Sequence, residues 1–397
     1  MALTASIARP LRLRSRDGHE PGRKVTWLEL FFDLVFVAAV SQVGTPLGVD
    51  YSLPSLGRFA VLFALIWWAW HGHTTYATRF DTDDVIQRVL TLLQMFAVAA
   101  MAVNAKDALD SRDSAGFAAA YAVMRLVLVA QYLRAWRIRE VRALTAVHVA
   151  GFGSAAVIWL ASALTPAPVR FWLWGLGLVI DFATPLFTTR LILQAPPDAA
   201  HLPERFGLFT IILMGDAVVG VMRGMESQAA WPLDAALSAF LGMVVVFLTW
   251  WWYFDGATAA EERVLATERD ARRFHIWTYA HVPLYLGIAV AGVGIHHTIS
   301  VAAMGHLHAT ESWILCGAVA LMMAAMTVIS EDSRPAVWLL ASATLACGAL
   351  GPLLPCSLLM GMLATLLAAQ VRMTSVRRAV SSDRNRSTTA SRDALSV

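Results

Sequence analysis

The sequence predicts an all-α polytopic integral membrane protein with about twelve transmembrane helices. Of its 397 residues, 58% are apolar and only 15% are charged, and the mean hydropathy is +0.59. Soluble domains average roughly 45–50% apolar and about 25% charged residues. The 15 tryptophans favour the same fold class, because Trp is enriched where helices meet the membrane interface.

Apolar stretches long enough to cross a membrane follow one another along the chain. A helix needs about 20 mostly apolar residues to cross the hydrocarbon core. The predicted spans are 27–48, 55–74, 85–104, 116–134, 142–163, 169–193, 206–222, 233–254, 274–298, 311–330, 335–351 and 353–371. Pro352 and Pro355 leave two alternatives at the last pair, namely a tight turn between two spans or a kink in one broken helix.

The lysines and arginines predict the orientation, because cytoplasmic loops carry an excess of both. If the N-terminus lies inside, most of the 31 basic residues fall in inside segments. The outside loops then hold only Arg58, Lys106, Arg112, Arg170 and Arg223, and Arg125 lies within a span. We therefore expect both termini to lie in the cytoplasm.

Two polar tails flank the predicted spans. Residues 1–26 are basic and lack the apolar core of a signal peptide, so we interpret them as a cytoplasmic tail. Residues 372–397 are rich in Ser and Arg, and this composition predicts a mostly disordered cytoplasmic tail.

A weak internal similarity suggests a duplication. When the sequence is aligned with itself so that Asp33 falls on Asp216, Trp67 falls on Trp250. Under this hypothesis, residues 27–193 form a first six-helix half and residues 194–371 a second. Because each half has an even number of spans, the repeats would be parallel, which is one known transporter plan.

Acidic residues inside the spans are the first candidates for function, because an ionisable side chain within a membrane usually faces a partner or a water path. Glu29 and Asp33 are four residues apart in the first span and share one helical face. Two close carboxylates in a low-dielectric environment do not easily both carry charge. This pair suits a proton or cation site, and the alternative is a structural hydrogen-bond anchor.

The seventh span carries a further acid. Asp216 lies about 15 Å beyond Phe206 along a helix with a rise of 1.5 Å per residue, which predicts a position near mid-membrane. Gly215 and Gly220 would let another backbone approach closely. Glu204 and Arg205, at the start of this span, are interpreted as a structural ion pair or as part of a gate.

Two basic residues within spans complete the set of candidate transport residues. Arg125, in the fourth span, needs a carboxylate partner, and both Asp181 and Asp33 are candidates. A structural counter-charge is the favoured interpretation of Arg125. His281, in the ninth span, has a side chain type that changes charge near neutral pH, although a hydrogen bond to a neighbour is favoured.

Patterns typical of soluble catalysis are missing from the sequence. It has no P-loop, GxSxG, dinucleotide or CxxC motif, and we expect no cofactor, no catalytic metal and no nucleic-acid partner. His71 and His73 resemble a metal-ligand group, as do His296, His297, His306 and His308. Without fixed ligand spacing, these histidines are interpreted as solvated loop residues.

Several segments carry a resemblance to a known family. They are 27-WLELFFDLVFVAAVSQ-42, 79-RFDTDD-84, 201-HLPERFGLFTIILMGDAVVG-220 and 279-YAHVPLYLGIAVAGVGI-295. Together they resemble the bacterial low temperature requirement protein A family, which usually has Gly-Glu where this chain has Gly215-Asp216. The resemblance implies a multi-pass plasma-membrane protein without a settled biochemical activity. A weaker similarity, at 31-FFDLVF-36 and 215-GDAVVG-220, is to cation channels of the lysosomal potassium channel type, although the serine of their Phe-Ser-Asp element is absent.

The leading functional hypothesis is translocation of a small solute or cation, by a transporter or a channel, with proton coupling as one form of it. Asp33 and Asp216 would lie at or near the path, with Glu29 assisting. Partners would be the lipid bilayer and the unknown solute, and a second copy of the chain is a further candidate. One alternative is a lipid-modifying membrane enzyme that uses Glu29, Asp33, His71 and His73. The other is a sensor or assembly protein without transport, which would tolerate neutralised acids.

Overall fold

A computed structural model describes residues 11–13, 25–81, 83–106, 108–109, 114–198, 201–228, 230–257 and 265–393. Side chains are described for these residues apart from 81, 256–257 and 376–393. Everything below concerns these parts of the chain.

The described residues form twelve α-helices, and twelve helical stretches are long and apolar enough to cross a membrane. The helices are α1 (Trp27–Val49), α2 (Leu53–Arg79), α3 (Val85–Val103), α4 (Ser114–Ala135), α5 (Arg142–Ala163), α6 (Val169–Ala183), α7 (His201–Glu226), α8 (Leu233–Ala257), α9 (Glu268–Val301), α10 (Ala309–Ile329), α11 (Pro335–Ala346) and α12 (Cys356–Asp393). The predicted fold class is confirmed.

The prolines near residue 353 separate two helices. After α11, a 3-10 segment covers Cys347–Leu353, and Leu354 is extended before α12 begins at Cys356. Pro355 directly precedes α12, where its fixed φ and its missing amide proton are tolerated. The two candidate spans here, Pro335–Leu353 and Cys356–Ser375, are therefore separate.

Helix α12 is the longest of the twelve described helices and continues to Asp393. The disordered cytoplasmic tail expected from the composition of residues 372–397 stays a prediction. No Gly or Pro occurs after Gly361, so the residue types that break helices most strongly are absent. Residues 394–397 lie outside the described part of the chain.

The chain divides into two compact units. The first unit comprises Met1–Asp216 and Ala260–Val282, and the second comprises Ala217–Ala259 and Pro283–Val397. Both α7 and α9 contribute residues to each unit. The proposed duplication into halves 27–193 and 194–371 stays a prediction.

Within the first unit, consecutive helices pack side by side. Helix α1 contacts α2 and α3, α4 contacts α3 and α5, and α5 contacts α6. Side-chain caps define where several of these helices start. Ser52 accepts a bond from the Ser55 amide at the start of α2, and Asp84 accepts one from the Gln87 amide at 2.7 Å at the start of α3.

A short antiparallel ribbon joins the N-terminal segment to the end of α2. Strand β1 (Arg12–Leu13) pairs with β2 (Phe80–Asp81). Leu11 and Leu13 pack against a buried cluster that includes Phe80 and Tyr132. Part of the basic segment 1–26 is therefore held on the first unit by apolar contact.

In the second unit, α7 and α9 approach closely at small residues. A Cβ atom added to Gly292 would lie 2.9 Å from the Cβ of Ala217, and one added to Gly220 would lie 3.0 Å from the Gly292 carbonyl oxygen. Gly220 thus permits the predicted close approach of another backbone, as small residues do in membrane helices. Gly215 differs, because a Cβ there would meet nothing within 4 Å.

Candidate functional site

The two acids of the first span lie one turn apart at the start of α1. Thr26 caps this helix, and its amide and hydroxyl both donate to Glu29 Oε2, at 2.8 and 2.9 Å. This reciprocal arrangement is a capping box. Glu29 is 8% exposed, and Asp33, one turn deeper, is fully buried. The capping bonds occupy one oxygen of Glu29 and leave the other for a different partner.

Arg205, near the start of α7, is the partner of Asp33. Its Nε donates to Asp33 Oδ2 at 3.0 Å and its Nη2 to Oδ1 at 2.5 Å. Trp70 Nε1, from α2, donates to the same Oδ1 at 2.6 Å. Arg205, like Asp33, is fully buried. Two parallel charge-assisted bonds fix both the distance and the orientation of the pair.

His201 extends this ion pair into a cluster of four charged or titratable groups. Its Nε2 lies 3.2 Å from Glu29 Oε1, and Arg205 Nη1 lies 3.4 Å from the same oxygen. His201 is itself 1% exposed. We call Glu29, Asp33, His201 and Arg205 the α1–α7 charge cluster.

The charge balance of this cluster depends on His201. Two carboxylates face one guanidinium that remains charged at all relevant pH values. Among these four groups, a neutral His201 leaves one uncompensated negative charge and a protonated His201 leaves none. The partly exposed Glu204, 3.4 Å from His201 Nδ1, adds a further carboxylate beside the cluster. A surplus charge in a buried site is unfavourable, so the cluster can take up either a proton or a small cation.

An open cleft of about 520 Å³ lies beside Glu29. It is lined by residues of α1, α2 and α3, among them Thr26, Glu29, His73, Gln87 and Thr91. This volume falls within the range of about 300–1,000 Å³ typical of small-molecule sites. Glu29 therefore connects the buried Asp33–Arg205 pair with a cavity large enough for a small solute.

A second buried ion pair joins α4 and α6. Arg125 Nε lies 3.1 Å from Asp181 Oδ2, and Tyr121 hydroxyl donates to the same oxygen at 2.7 Å. Both charged side chains are completely buried. Of the two candidate partners of Arg125, the structure thus selects Asp181, because Asp33 is already engaged by Arg205.

The sealed surroundings of Arg125 agree with the favoured structural interpretation. Its guanidinium carbon lies 4.8 Å from the Tyr121 ring centroid and 5.5 Å from that of Phe152. Such cation–π contacts stabilise a cation inside an apolar environment. The transport role of Arg125 stays a prediction.

Asp216 lies apart from the charge cluster. Its Oδ1 accepts a hydrogen bond from Ser41 Oγ of α1 at 2.7 Å, and the residue is half-buried. The structure therefore gives Asp216 a neutral partner, whereas Asp33 has a cationic one. Asp216 lies in the interior of α7, and its depth near mid-membrane stays a prediction.

The predicted pairing of Glu204 with Arg205 is wrong. Arg205 bonds to the two acids of α1, while Glu204 is 43% exposed at its side chain and lies 3.4 Å from His201 Nδ1. Neighbouring residues on a helix point about 100° apart, so a side chain pairs with positions three or four away. A gating role for either residue stays a prediction.

His281 forms the neighbouring hydrogen bond that was favoured for it. Its Nδ1 lies 2.8 Å from the Trp277 carbonyl oxygen, and Nδ1 must carry the proton because a carbonyl can only accept. The ring also lies 4.6 Å from that of Phe206, a neighbour of Arg205 in sequence. His281 thus supports the α7 wall beside the charge cluster.

The interpretation of His71 and His73 as solvated loop residues is wrong. Both lie within α2 and are buried, at 5% and 2% exposure. His71 stacks on Trp67, and His73 lies 4.2 Å from the Phe32 ring. The predicted second span, 55–74, ends just after these two histidines, whereas α2 extends to Arg79. Among the described residues, no group of three or more His, Cys, Asp or Glu could hold a metal.

Sequence reasoning missed His201 and assigned Arg205 to the wrong acid, although a signal was present. Glu29 and Asp33 are four residues apart in α1, and His201 and Arg205 are four residues apart in α7. Two helices that start at the same end present such pairs in matching order. The equal spacing could have predicted that Glu29 faces His201 and that Asp33 faces Arg205.

Comparison with known proteins adds the family. Residues 24–372 match the model of the bacterial low temperature requirement A protein, LtrA. The chain belongs to the LtrA family. The match extends from the residues just before α1 into α12, so this LtrA-family chain carries the family pattern across all of its candidate spans. The resemblance proposed from individual motifs is confirmed.

A curated relative comes from a bacterium. An uncharacterized protein of Rhizobium meliloti (strain 1021) is 28% identical, over 68% of this chain and 68% of the relative. No solved structure matches the LtrA-family chain. Family membership and the twelve candidate spans together make it a multi-pass membrane protein of a bacterial family.

Proposed function

We propose that this LtrA-family protein translocates a small solute or cation across the bacterial plasma membrane, with the α1–α7 charge cluster as the site of proton or cation exchange. One observation carries the proposal: two carboxylates share one arginine and one histidine beside a 520 Å³ cleft. Translocation requires a site that holds charge reversibly, and an intramembrane cluster with an uneven charge count is such a site.

Each member of the cluster has a distinct part in this mechanism. Glu29 borders the cleft and is the first group that a proton or cation from solution would meet. Neutralising Glu29 weakens its attraction for His201, so α1 and α7 would be held less tightly at this end. Asp33 keeps Arg205 in place, because its two bonds to the guanidinium are independent of Glu29.

Asp216 is proposed as a second binding site for the translocated proton or cation, further along the path. Among the described side chains, its hydrogen-bond partner is the Ser41 hydroxyl, which orients a carboxylate without neutralising it. A cation leaving the charge cluster would therefore meet an unneutralised acid on α7. Proton coupling follows if the species exchanged at both sites is a proton.

The orientation belongs to the same proposal. The excess of Lys and Arg in alternate loops supports cytoplasmic placement of both termini, with the charge cluster near the cytoplasmic face. Alkaline phosphatase fused after residue 50 should be active in the periplasm, and the same enzyme fused after residue 137 should be inactive. The reverse pattern would contradict this orientation.

Flux into proteoliposomes tests the proposed function. Liposomes loaded with a pH-sensitive dye would receive potassium, sodium and proton gradients in turn. We expect flux with the wild-type protein, loss of flux in Asp33→Asn, and reduced flux in Asp216→Asn. Asp50→Asn is the matched control, because Asp50 lies outside the spans and accepts exposed hydrogen bonds from Ser52 and Ser55 at the start of α2.

A sensor or assembly protein without transport is the second candidate function. It is favoured by the complete engagement of Asp33, since an acid held by Arg205 and Trp70 can serve as a rigid helix anchor. This function predicts that folded, neutralised variants retain the phenotype of the wild type. Absence of flux in every gradient, with normal function of Asp33→Asn in cells, would favour it.

A further inference from the structure

A third buried arginine of the first unit has no acidic partner. Arg79 ends α2 and is 1% exposed, and neither its Nε nor its Nη1 has a hydrogen-bond partner. Its guanidinium does interact with the Tyr132 hydroxyl. Among the described side chains no carboxylate pairs with it, in contrast to Arg125 and Arg205.

A buried guanidinium requires compensation, because moving an unpaired charge out of water is strongly unfavourable. Neutral oxygens can supply it, as Arg170 demonstrates. Arg170 is also buried, and it donates to the carbonyl oxygens of Ser162 and Thr165 and to the Ser114 hydroxyl. Arg79 lacks such a set of acceptors, so its compensating charge must come from elsewhere.

Arg79 lines a small enclosed cavity together with other donor groups. The lining includes Trp68, His71, Tyr132, His148, His275 and Thr278. Three of these residues have a buried polar atom without a hydrogen-bond partner, namely Trp68 Nε1, His275 Nε2 and Thr278 Oγ1. His71, His148 and His275 lie close enough to interact electrostatically with Arg79.

The chemistry of the lining favours an anion. An indole N–H and a guanidinium N–H can only donate hydrogen bonds. A hydroxyl can donate as well, and so can a neutral imidazole that carries its proton on Nε2. No carboxylate lines the cavity. A cation would be repelled by Arg79, whereas an anion would offset its charge and accept hydrogen bonds from its unused N–H groups.

The size of the cavity restricts the anion to a small one. The volume in which the centre of a water-sized sphere can lie is about 20 Å³, and a single water molecule needs roughly 10–15 Å³ of such volume. A single halide ion fits this space, whereas a carboxylate or a phosphate group with several oxygens does not.

We propose that this cavity binds one small monovalent anion of the halide class, with Arg79 as its counter-charge. The site joins residues of α2, α4, α5 and α9, so the bound anion stabilises the packing of these helices within the first unit. It is independent of the proposed transport function, because none of its residues belongs to the α1–α7 charge cluster.

Binding of radioactive chloride to the purified full-length protein tests this site. Equilibrium dialysis in detergent should find one chloride per chain. Arg79→Gln should abolish this binding, and Arg190→Gln is the matched control, because Arg190 is 83% exposed at its side chain and its loss should leave binding unchanged. Absence of binding to the wild type, or equal binding to Arg79→Gln, would overturn the proposal.

Two further measurements keep the test decisive if Arg79→Gln does not fold. Thr278→Val removes one donor and should weaken chloride binding about tenfold, and unchanged binding would contradict the donor set.

Competition between anions is the second measurement. Bromide should compete with chloride, whereas acetate should not. Equal competition by acetate would overturn the assignment to a halide. Thermal unfolding should occur at a lower temperature when gluconate replaces chloride at constant ionic strength.

Discussion

Two buried ion pairs of the first unit have the same chemistry and different surroundings. Asp33–Arg205 joins α1 to α7, and Asp181–Arg125 joins α4 to α6, and all four side chains are completely buried. The second pair has one acid, one base and a tyrosine hydroxyl. The first is joined by Glu29 and His201, and Glu29 borders an open cleft.

The comparison shows that burial alone does not identify a functional ion pair. The Asp181–Arg125 pair has one acid and one base and is enclosed by aromatic rings. Its environment therefore has no uncompensated charge that would bind an ion. The α1–α7 charge cluster has an extra carboxylate, and this residue, Glu29, lines an open cleft. We expect the first arrangement to hold helices together and the second to exchange charge as well.

The largest expected effect is the loss of stability when one partner is removed. Arg125→Met should reduce the free energy of unfolding by about 3–5 kcal/mol, because Asp181 would remain buried without its counter-charge. Arg205→Met should have an effect of the same size through Asp33. Thermal unfolding in detergent would measure both, and a variant of either kind as stable as the wild type would refute the ion-pair interpretation at that position.

A smaller effect is expected when only a neutral donor is removed from each carboxylate. Trp70→Phe deletes the indole N–H that donates to Asp33, and Tyr121→Phe deletes the hydroxyl that donates to Asp181. Each change should lower the free energy of unfolding by about 1.5–3 kcal/mol, as expected for a bond to a charged group. Only Trp70→Phe should also reduce flux, and equal flux in both variants would weaken the functional distinction.

His201→Gln tests whether the fourth member of the cluster adjusts its charge. Gln retains a hydrogen bond to Glu29 but cannot take up a proton, so we expect a loss of stability of only about 0.5–1.5 kcal/mol. The dependence of flux on pH should change. The matched control is His297→Gln, because His297 also pairs with a glutamate, Glu311, at 3.0 Å. The same pH dependence in wild type and His201→Gln would contradict the proposed role of His201.

The smallest effect is expected at Asp216. Ser41→Ala removes the hydroxyl that donates to Asp216 and should lower the free energy of unfolding by about 1 kcal/mol, with a partial loss of flux. Ser154→Ala is the control, since Ser154 is exposed and donates to a carbonyl of its own helix. Unchanged flux in Ser41→Ala would argue against a second binding site at Asp216.

The fold was largely predictable from the sequence, and the site only in part. Apolar stretches of about 20 residues must be helical in a membrane, since every backbone group there has to be satisfied internally. This constraint yields the twelve spans without any knowledge of packing. The same reasoning ended the second span at residue 74, so His71 and His73 were interpreted as solvated residues, although α2 continues to Arg79 and buries both.

Residue spacing identified which acids share a helical face but could not identify what they face. Glu29 and Asp33 were found because they are one turn apart. Their partner Arg205 was missed because it was assigned to its neighbour Glu204 at the membrane interface. Which helix lies opposite α1 is decided by tertiary packing, and a single sequence contains little information about it. Arg79 was missed for the same reason.

Flux through variants that neutralise one whole ion pair at a time tests the central claim most directly. Asp33→Asn/Arg205→Gln and Asp181→Asn/Arg125→Gln each replace two opposite charges by amides, which avoids leaving an unpaired buried charge. Both should fold and insert into liposomes. We predict that the first double variant loses flux and that the second retains it. Equal flux in the two variants, whether retained or lost, would contradict the assignment of charge exchange to the α1–α7 charge cluster.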